Sequence, residues 1–324
     1  MSTIDQVEVE VVSVPLHSPF VTALRRATTV ESVVVRVTDS DGRVGLGEAP
    51  QNWQVLGSSV AGSVACLEGP LRAAVLGRSA DPAETWPIIE RSVAGNGAAK
   101  SALDCALHDL AGTPALSVPT LVTVPVGTPE DIAEAARARV AEGFTTLKLK
   151  VGADAETDVA RVRAARAGAG PDVALRIDAN QGWTAFDAVR VVRAIEDAGL
   201  DVELVEQPVP AADVLGLAHV RRHVETPVLA DESVFGLDDL VEVIRYDAAD
   251  LVNLKLAKAG GLTPALELAR VARAPGLGVT VGCMLEAHSP IGSAATWHPI
   301  STARGGWRTE RRTLTGSGMP TARP

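Results

Sequence analysis

Lysine is what this chain is shortest of. Among 324 residues it carries 30 basic side chains, and only Lys100, Lys148, Lys150, Lys255 and Lys258 are lysine; the other 25 are arginine. Arginine keeps its proton inside a protein, whereas lysine gives it up once its pKa is lowered. A biased codon supply would produce the same imbalance, but the two tight lysine pairs are the first candidates for proton transfer. Cysteine is scarce as well. Cys66, Cys105 and Cys283 lie far apart, which excludes a disulfide framework and a zinc knuckle. There is no charge-free apolar run of about 18 residues to span a membrane. Met1-Ser2-Thr3-Ile4-Asp5 has neither the basic start nor the apolar stretch of a secretory signal. Positive charge is in deficit, the net charge being −10, which argues against a nucleic-acid-binding face. A cytoplasmic location with no membrane and no nucleic-acid partner is expected.

What is present is a large apolar fraction, 46%, in a chain long enough for a small domain plus a barrel of about 200–250 residues. Residues 6–15 and 30–38 alternate like half-buried strands. The turn Ser40-Asp41-Gly42-Arg43 joins the second to Val44-Gly45-Leu46-Gly47-Glu48, a β-meander. Gly45-x-Gly47 is not a dinucleotide fingerprint, because Pro50 occupies the third glycine position and no helix opens there. Residues 59–77 and 83–112 are alanine-rich with helical spacing. The first 115 residues therefore read as a small α+β domain.

From about residue 119 the rhythm changes. Short β-branched runs at 119–124, 145–150, 174–178, 202–207, 228–232, 250–256 and 279–283 alternate with helix candidates such as 129–142, 184–198, 212–222, 236–246 and 263–273. Repeated βα units predict a parallel sheet, either doubly wound or closed into a barrel.

The chemistry sits at the strand ends. Lys148 and Lys150, two apart, share one strand face, with Leu147 and Leu149 on the other. Two ammonium groups so close repel, and the expectation is that one pKa falls, making a lysine base. The next three strands finish in carboxylates: Asp178, Glu206 and Asp231. Any one of these could cap a helix. Three in succession, brought side by side in a parallel barrel, call for a cation, and an all-oxygen donor set selects Mg²⁺ or Mn²⁺ over zinc. Lys255 lies four strands on from Lys150, the opposite wall of an eight-stranded ring. That arrangement suits removing a proton from one face of a carbon and returning one on the other, with the metal stabilising the enolate.

Lys148-x-Lys150, Asp178-x-Asn180, Glu206, Asp231-Glu232 and Lys255 together resemble the enolase superfamily, muconate-lactonizing subgroup. The stretches Pro19–Arg25, Ile177–Trp183 and Gly282–Glu286 are most similar to dipeptide epimerases of the L-Ala-D/L-Glu type. The resemblance implies a modified (β/α)8, TIM-like barrel over 116–295 under an α+β capping domain over 1–115. It implies one Mg²⁺ on Asp178, Glu206 and Asp231, with Lys150 and Lys255 as the acid/base pair and Lys148 tuning Lys150 and facing substrate. It implies that Arg25 meets an acidic substrate side chain, or is an ordinary surface arginine. Thr123, Cys283 and Leu285 fall where the family lines its pocket, or pack in the core. The implied partner is a small molecule, a dipeptide or N-acyl amino acid, with a second copy of the chain left open. Alternatives on the same scaffold are an N-acylamino acid racemase, an o-succinylbenzoate synthase or a cycloisomerase.

Two departures qualify this. The segment Leu110–Leu116 runs almost directly into the strand at 119–124. Beyond Ala295, residues 296–324 hold two tryptophans, five arginines, six threonines and one acid, Glu310, with no helix or strand period. The resemblance calls for an Asp-x-Asp on an eighth strand, and none follows Ala295. An atypical or out-of-frame tail is expected, together with a missing eighth strand and missing C-terminal capping segment. A non-catalytic relative with an unfinished barrel is the reading that follows from it.

Overall fold

A computed structural model describes residues 2–21, 26–113, 121–124 and 126–287. The place of the eighth strand that was expected to be missing, the tail over 296–324 and Arg25 lie outside the described residues.

The meander forms as an antiparallel sheet of β1 (Ile4–Val21), β2 (Arg26–Asp39) and β3 (Val44–Pro50), in that order. Its β2–β3 turn is tied by Asp39, whose Oδ1 accepts from the backbone N–H of Asp41 (3.1 Å) and Arg43 (2.8 Å). Four helices follow: α1 (Val60–Cys66), α2 (Arg72–Val75), α3 (Pro82–Ser92) and α4 (Gly97–Leu110). Pro70 lacks an N–H, and the chain between α1 and α2 widens into a π-helical turn over Leu67–Leu71 around it. Val33, Val35 and Val37 of β2 are fully buried beside Leu103 and Leu107 of α4. The glycines of β3 bring that helix close. A Cβ on Gly45 would stand 2.0 Å from Ala106 O, and one on Gly47 1.9 Å from Ala102 O. Gly45-x-Gly47 is thus a packing motif, in which two bare backbones admit a helix.

The second sheet has seven parallel strands in chain order: β4 (Val122–Val124), β5 (Thr146–Lys150), β6 (Ala174–Asp178), β7 (Val202–Glu206), β8 (Val228–Ala230), β9 (Leu251–Lys255) and β10 (Gly278–Gly282). Helices α5 (Pro129–Ala141), α6 (Ala155–Ala169), α7 (Ala185–Asp197), α8 (Val214–His223), α9 (Leu237–Arg245), α10 (Leu256–Ala259) and α11 (Leu262–Arg273) alternate with the strands. Leu147, Leu149, Leu175, Ile177 and Val205 join Val162, Val191, Val192 and Leu217 of the helices in one buried cluster. This is the expected TIM-like strand–helix alternation, the described strands forming a sequential parallel sheet.

Element bounds differ from the expectation at several places, two of them at the site. The strand expected over 228–232 ends at Ala230, because the Gln207 side-chain oxygen takes the backbone N–H groups of Asp231 (2.8 Å) and Ser233 (3.1 Å). The strand expected over 250–256 ends at Lys255, where α10 begins. Helix α6 was not among the expected helices; its apolar side chains are mostly alanine, which gives little contrast between faces. No described helix is long and apolar enough to cross a membrane.

The two sheets meet through α4. Eleven of its residues are buried, and Cys105 belongs to the cluster around the parallel sheet while its neighbours Ala106 and Leu107 belong to the other.

Candidate active site

The C-terminal ends of β5 to β9 bring the expected lysines and acids together. Lys148 and Lys150 point the same way, as their spacing requires, and both reach Asp178 Oδ2, at 2.8 and 2.6 Å. Asp178 pairs in register with Lys150 on one side and Glu206 on the other. Lys148 also reaches Glu206 Oε2 at 2.5 Å. On the far side, Lys255 is bonded to Asp231 Oδ2. Lys258 holds Asp231 Oδ1 at 2.7 Å. Lys150 and Lys255 are thus separated by three intervening strands and tied to different carboxylates.

The strand-end acids are not helix caps. Thr184 caps α7 and Asp213 caps α8, each through its own side chain, and Gly236 stands at the N-cap of α9. The carboxylates of Asp178, Glu206 and Asp231 are left free to face one another across the mouth, and all three are buried.

Of the two neighbouring lysines, Lys148 is the one held charged. Burial works against its charged form, but Asp178, Glu206 and Asp231 outweigh burial and hold Lys148 above the ordinary lysine value. Lys255 is held above it in the same way, chiefly by Asp231 and Glu206 against burial. Asp178 lies at about 2, burial being overcome by Lys148 and Lys150. Glu206 goes the other way: burial and then Asp178 push it up. Burial and the neighbouring Asp231 push Glu232 up to about 7. Negative charge is therefore crowded here beyond what the lysines neutralise at every position.

That crowding fits a hard divalent cation. Every donor is oxygen, and the Lys148 ammonium already lies between Asp178 and Glu206 as a cation would. Two buried oxygens in the same wall, Glu232 Oε2 and Asn253 Oδ1, have no hydrogen-bond partner among the described residues. Among those residues no three acidic, histidine or cysteine side chains stand ready-made around a single point, so the fit rests on charge and donor chemistry.

The expected pocket residues surround this core. Thr123 on β4 is the register partner of Lys148. Cys283 follows Gly282, the partner of Lys255 on β9, and is exposed. Leu285 is half-buried and lines a cavity of about 210 Å³ with Arg26, Thr29, Glu31, Gln51 and Trp53 of the N-terminal unit. Loop 283–287 is fastened to that unit, Glu48 Oε1 accepting from the Ala287 N–H at 2.6 Å.

Several residues in the site were not picked out as functional from sequence. Asn180 accepts from Lys150 Nζ at 2.7 Å and donates to Glu232 Oε1 at 3.3 Å. Asn253 donates to Glu206 Oε1 at 3.0 Å. Gln207 orders the Asp231–Ser233 backbone. Lys258, singled out in the sequence as half of a lysine pair, anchors Asp231. For Asn253 a signal existed: it stands two before Lys255 on one strand face. For Gln207 none did, since its partners lie 24 and 26 residues away.

The sequence pattern described as "Mandelate racemase / muconate lactonizing enzyme, N-terminal domain" matches residues 5–122, and that described as "Enolase C-terminal domain-like" matches residues 131–313. The second match runs past Ala295, further than the motifs alone extend the resemblance. The L-Ala-D/L-Glu epimerase of Bacillus subtilis (strain 168) is 41% identical over 304 residues, 90% of this chain and 83% of the relative. The N-succinyl-L-Arg/Lys racemase of Bacillus cereus is 31% identical, over 89% of this chain and 81% of the relative. A solved dipeptide epimerase from Enterococcus faecalis V583, complexed with Mg and the dipeptide L-Leu-L-Tyr, superposes with a TM-score of 0.87 at 34% identity. It covers 93% of this chain and 88% of that one.

Proposed function

Because the chain belongs to the mandelate racemase/muconate-lactonizing family of the enolase superfamily, we propose that it is a Mg²⁺-dependent dipeptide epimerase that inverts the α-carbon of the C-terminal residue. The observation that carries this reading is the separation of two lysines over one acidic centre. Lys150 reaches Asp178 from β5, and Lys255 reaches Asp231 from β9. One lysine takes the α-proton as a neutral amine, a form that would be favoured once a divalent cation replaced the ammonium groups on Asp178 and Asp231; the other, as an ammonium, delivers its proton to the opposite face. The reverse reaction exchanges the roles. Lys148, held charged by its carboxylates, adds positive potential beside Lys150.

Asp178, Glu206 and Asp231 would hold the Mg²⁺, kept in place by Asn253 and Lys258. When bound, the ion would supply positive charge that stabilises the negative charge developing as the α-proton leaves. Thr123, Lys148, Cys283 and Leu285 would line the substrate, and Arg25 would meet the acidic side chain of a Glu-containing dipeptide. The epimerases and racemases among the relatives support an isomerase acting on amino acid derivatives.

A second reading, racemisation of an N-acyl amino acid, is favoured by the Bacillus cereus relative. It keeps the lysines and the metal and changes only the substrate's acyl group. Deuterium entry at the α-carbon in D₂O, followed by NMR with Mg²⁺ present, separates them. Ala-Glu and hydrophobic dipeptides are compared with N-succinyl amino acids. Exchange confined to the dipeptides is expected. Exchange confined to the N-succinyl compounds selects the second reading, and exchange on none of them sinks both.

A further inference from the structure

The N-terminal unit touches the parallel sheet most intimately behind Lys255. Helix α11, two residues after α10, has Gly261 at its N-cap, which has no side chain to receive the first free N–H groups. The missing acceptor comes from α4, 159 residues away in sequence. Asp104 takes the Thr263 N–H at 2.9 Å and the Thr263 hydroxyl at 2.8 Å. It is completely buried. A Cβ on Gly261 would stand 2.4 Å from Asp104 Oδ2, so the bare glycine is what lets the carboxylate in. The Thr263 hydroxyl, having given its proton to Asp104, accepts from His108 Nε2 at 2.9 Å. About two helix turns back along α4 the contact repeats: Gly97 opens α4 against Ala257 of α10, a Cβ there falling 2.7 Å from Ala257 O. The segment held by these contacts is Leu256 to Thr263, which follows directly on Lys255 and contains Lys258.

We propose that Asp104 is a positioning residue for Lys255, a cap supplied by one structural unit to the helix that fixes a catalytic lysine of the other. The proposal rests on the reading that Lys255 moves protons on one face of the substrate. It makes the N-terminal unit part of the acid/base machinery as well as a cover for the substrate. It also makes the two faces unequal. Lys150 is positioned from within the parallel-sheet unit, by Asp178 and Asn180. The loop after its strand is held by Asp158, which accepts from the N–H groups of Gly152 and Ala153 and from the Trp183 indole. Loss of the Asp104 cap reaches Lys255 and leaves Lys150 in place.

The test measures α-deuterium entry in D₂O from L-Ala-L-Glu and from L-Ala-D-Glu separately. Lys255→Ala identifies the epimer that Lys255 serves. Asp104→Asn and Thr263→Val are then expected to slow exchange of that epimer by about 10²-fold, the effect of a displacement of about 1 Å in a reacting group. Exchange of the other epimer stays close to the parent rate, and Thr263→Ser, which keeps the hydroxyl, restores both. Equal slowing of both epimers, or slowing that follows only a fall in Tm, overturns the proposal. Absence of exchange in the parent protein defeats the proposed function instead. In that case amide hydrogen exchange decides the clamp: Asp104→Asn must deprotect residues 256–263 and spare 146–153, and unchanged protection at 256–263 overturns it.

Discussion

At the scale of single residues, the site is governed by which carboxylate each lysine touches. Asp178 is shared by Lys148 and Lys150, whereas Asp231 is shared by Lys255 and Lys258. Removing one lysine of a pair therefore leaves its carboxylate still matched to an ammonium. Lys150→Ala and Lys255→Ala should each fold with little change in Tm, yet lower epimerisation by about 10²–10⁴-fold, the range for a lost general acid or base. Each variant should also keep deuterium exchange from one epimer and lose it from the other. A Lys255→Ala protein epimerising at the parent rate would contradict the two-lysine scheme. The sequence exposed these lysines because two-residue spacing on a strand fixes a common side. What it left undecided was the charge of Lys148, because spacing reports the neighbouring ammonium and is silent about acids 30 and 58 residues further along the chain.

At the scale of elements, α4 is the member on which most depends. Its approach to β3 needs Gly45 and Gly47, and Gly47→Ala would push a methyl group into Ala102 O at 1.9 Å. Both partners are backbone, so relief requires moving a helix or a strand. A loss of about 3 kcal/mol, the upper end for overpacking, is expected, readable as a lowered urea midpoint. The other face of α4 carries a titrating pair. Burial pushes Asp104 up to about 6 and His108 down to about 4. The raised Asp104 contributes stability that is complete below about 4 and lost as pH rises through about 6. The lowered His108 contributes stability that is complete above about 6.5 and lost as pH falls through about 4. The two oppose each other over the same window, so the parent should show a shallow slope from this pair. Asp104→Asn should unmask the histidine, with stability rising between pH 4 and 6.5 by on the order of 2 kcal/mol more than in the parent. His108→Gln should show the reverse slope. Urea midpoints across that range check both, and identical pH profiles for the two variants would refute the pairing.

At the scale of the whole molecule, the row of strand ends concentrates acids that are costly to bury together. A divalent cation relieves that repulsion only in the folded chain, since only folding brings β6, β7 and β8 side by side. Chelated protein should therefore melt at a lower temperature than protein with Mg²⁺ restored, by an amount equivalent to about 2.7 kcal/mol at one hundred times the dissociation constant. Glu206→Gln should remove most of that difference. A Tm indifferent to Mg²⁺ in the parent would remove the metal from the proposed function. The match to the enolase-type barrel continues to residue 313.

The sequence by itself determined the alternation of strands and helices, the side on which Lys148 and Lys150 lie, and the succession of acids at strand ends. All of these are short-range properties: period, spacing and position within an element. Tertiary structure alone decided whether Asp178, Glu206 and Asp231 cap helices or face a common mouth, because that depends on which other residues, Thr184 and Asp213 among them, take the capping positions. It alone gave Gly45 and Gly47 their meaning, and it alone joined Asp104 to Thr263. Contacts between residues so distant in sequence leave no period in the chain; they arise when two buried surfaces meet, and only the packed molecule contains both.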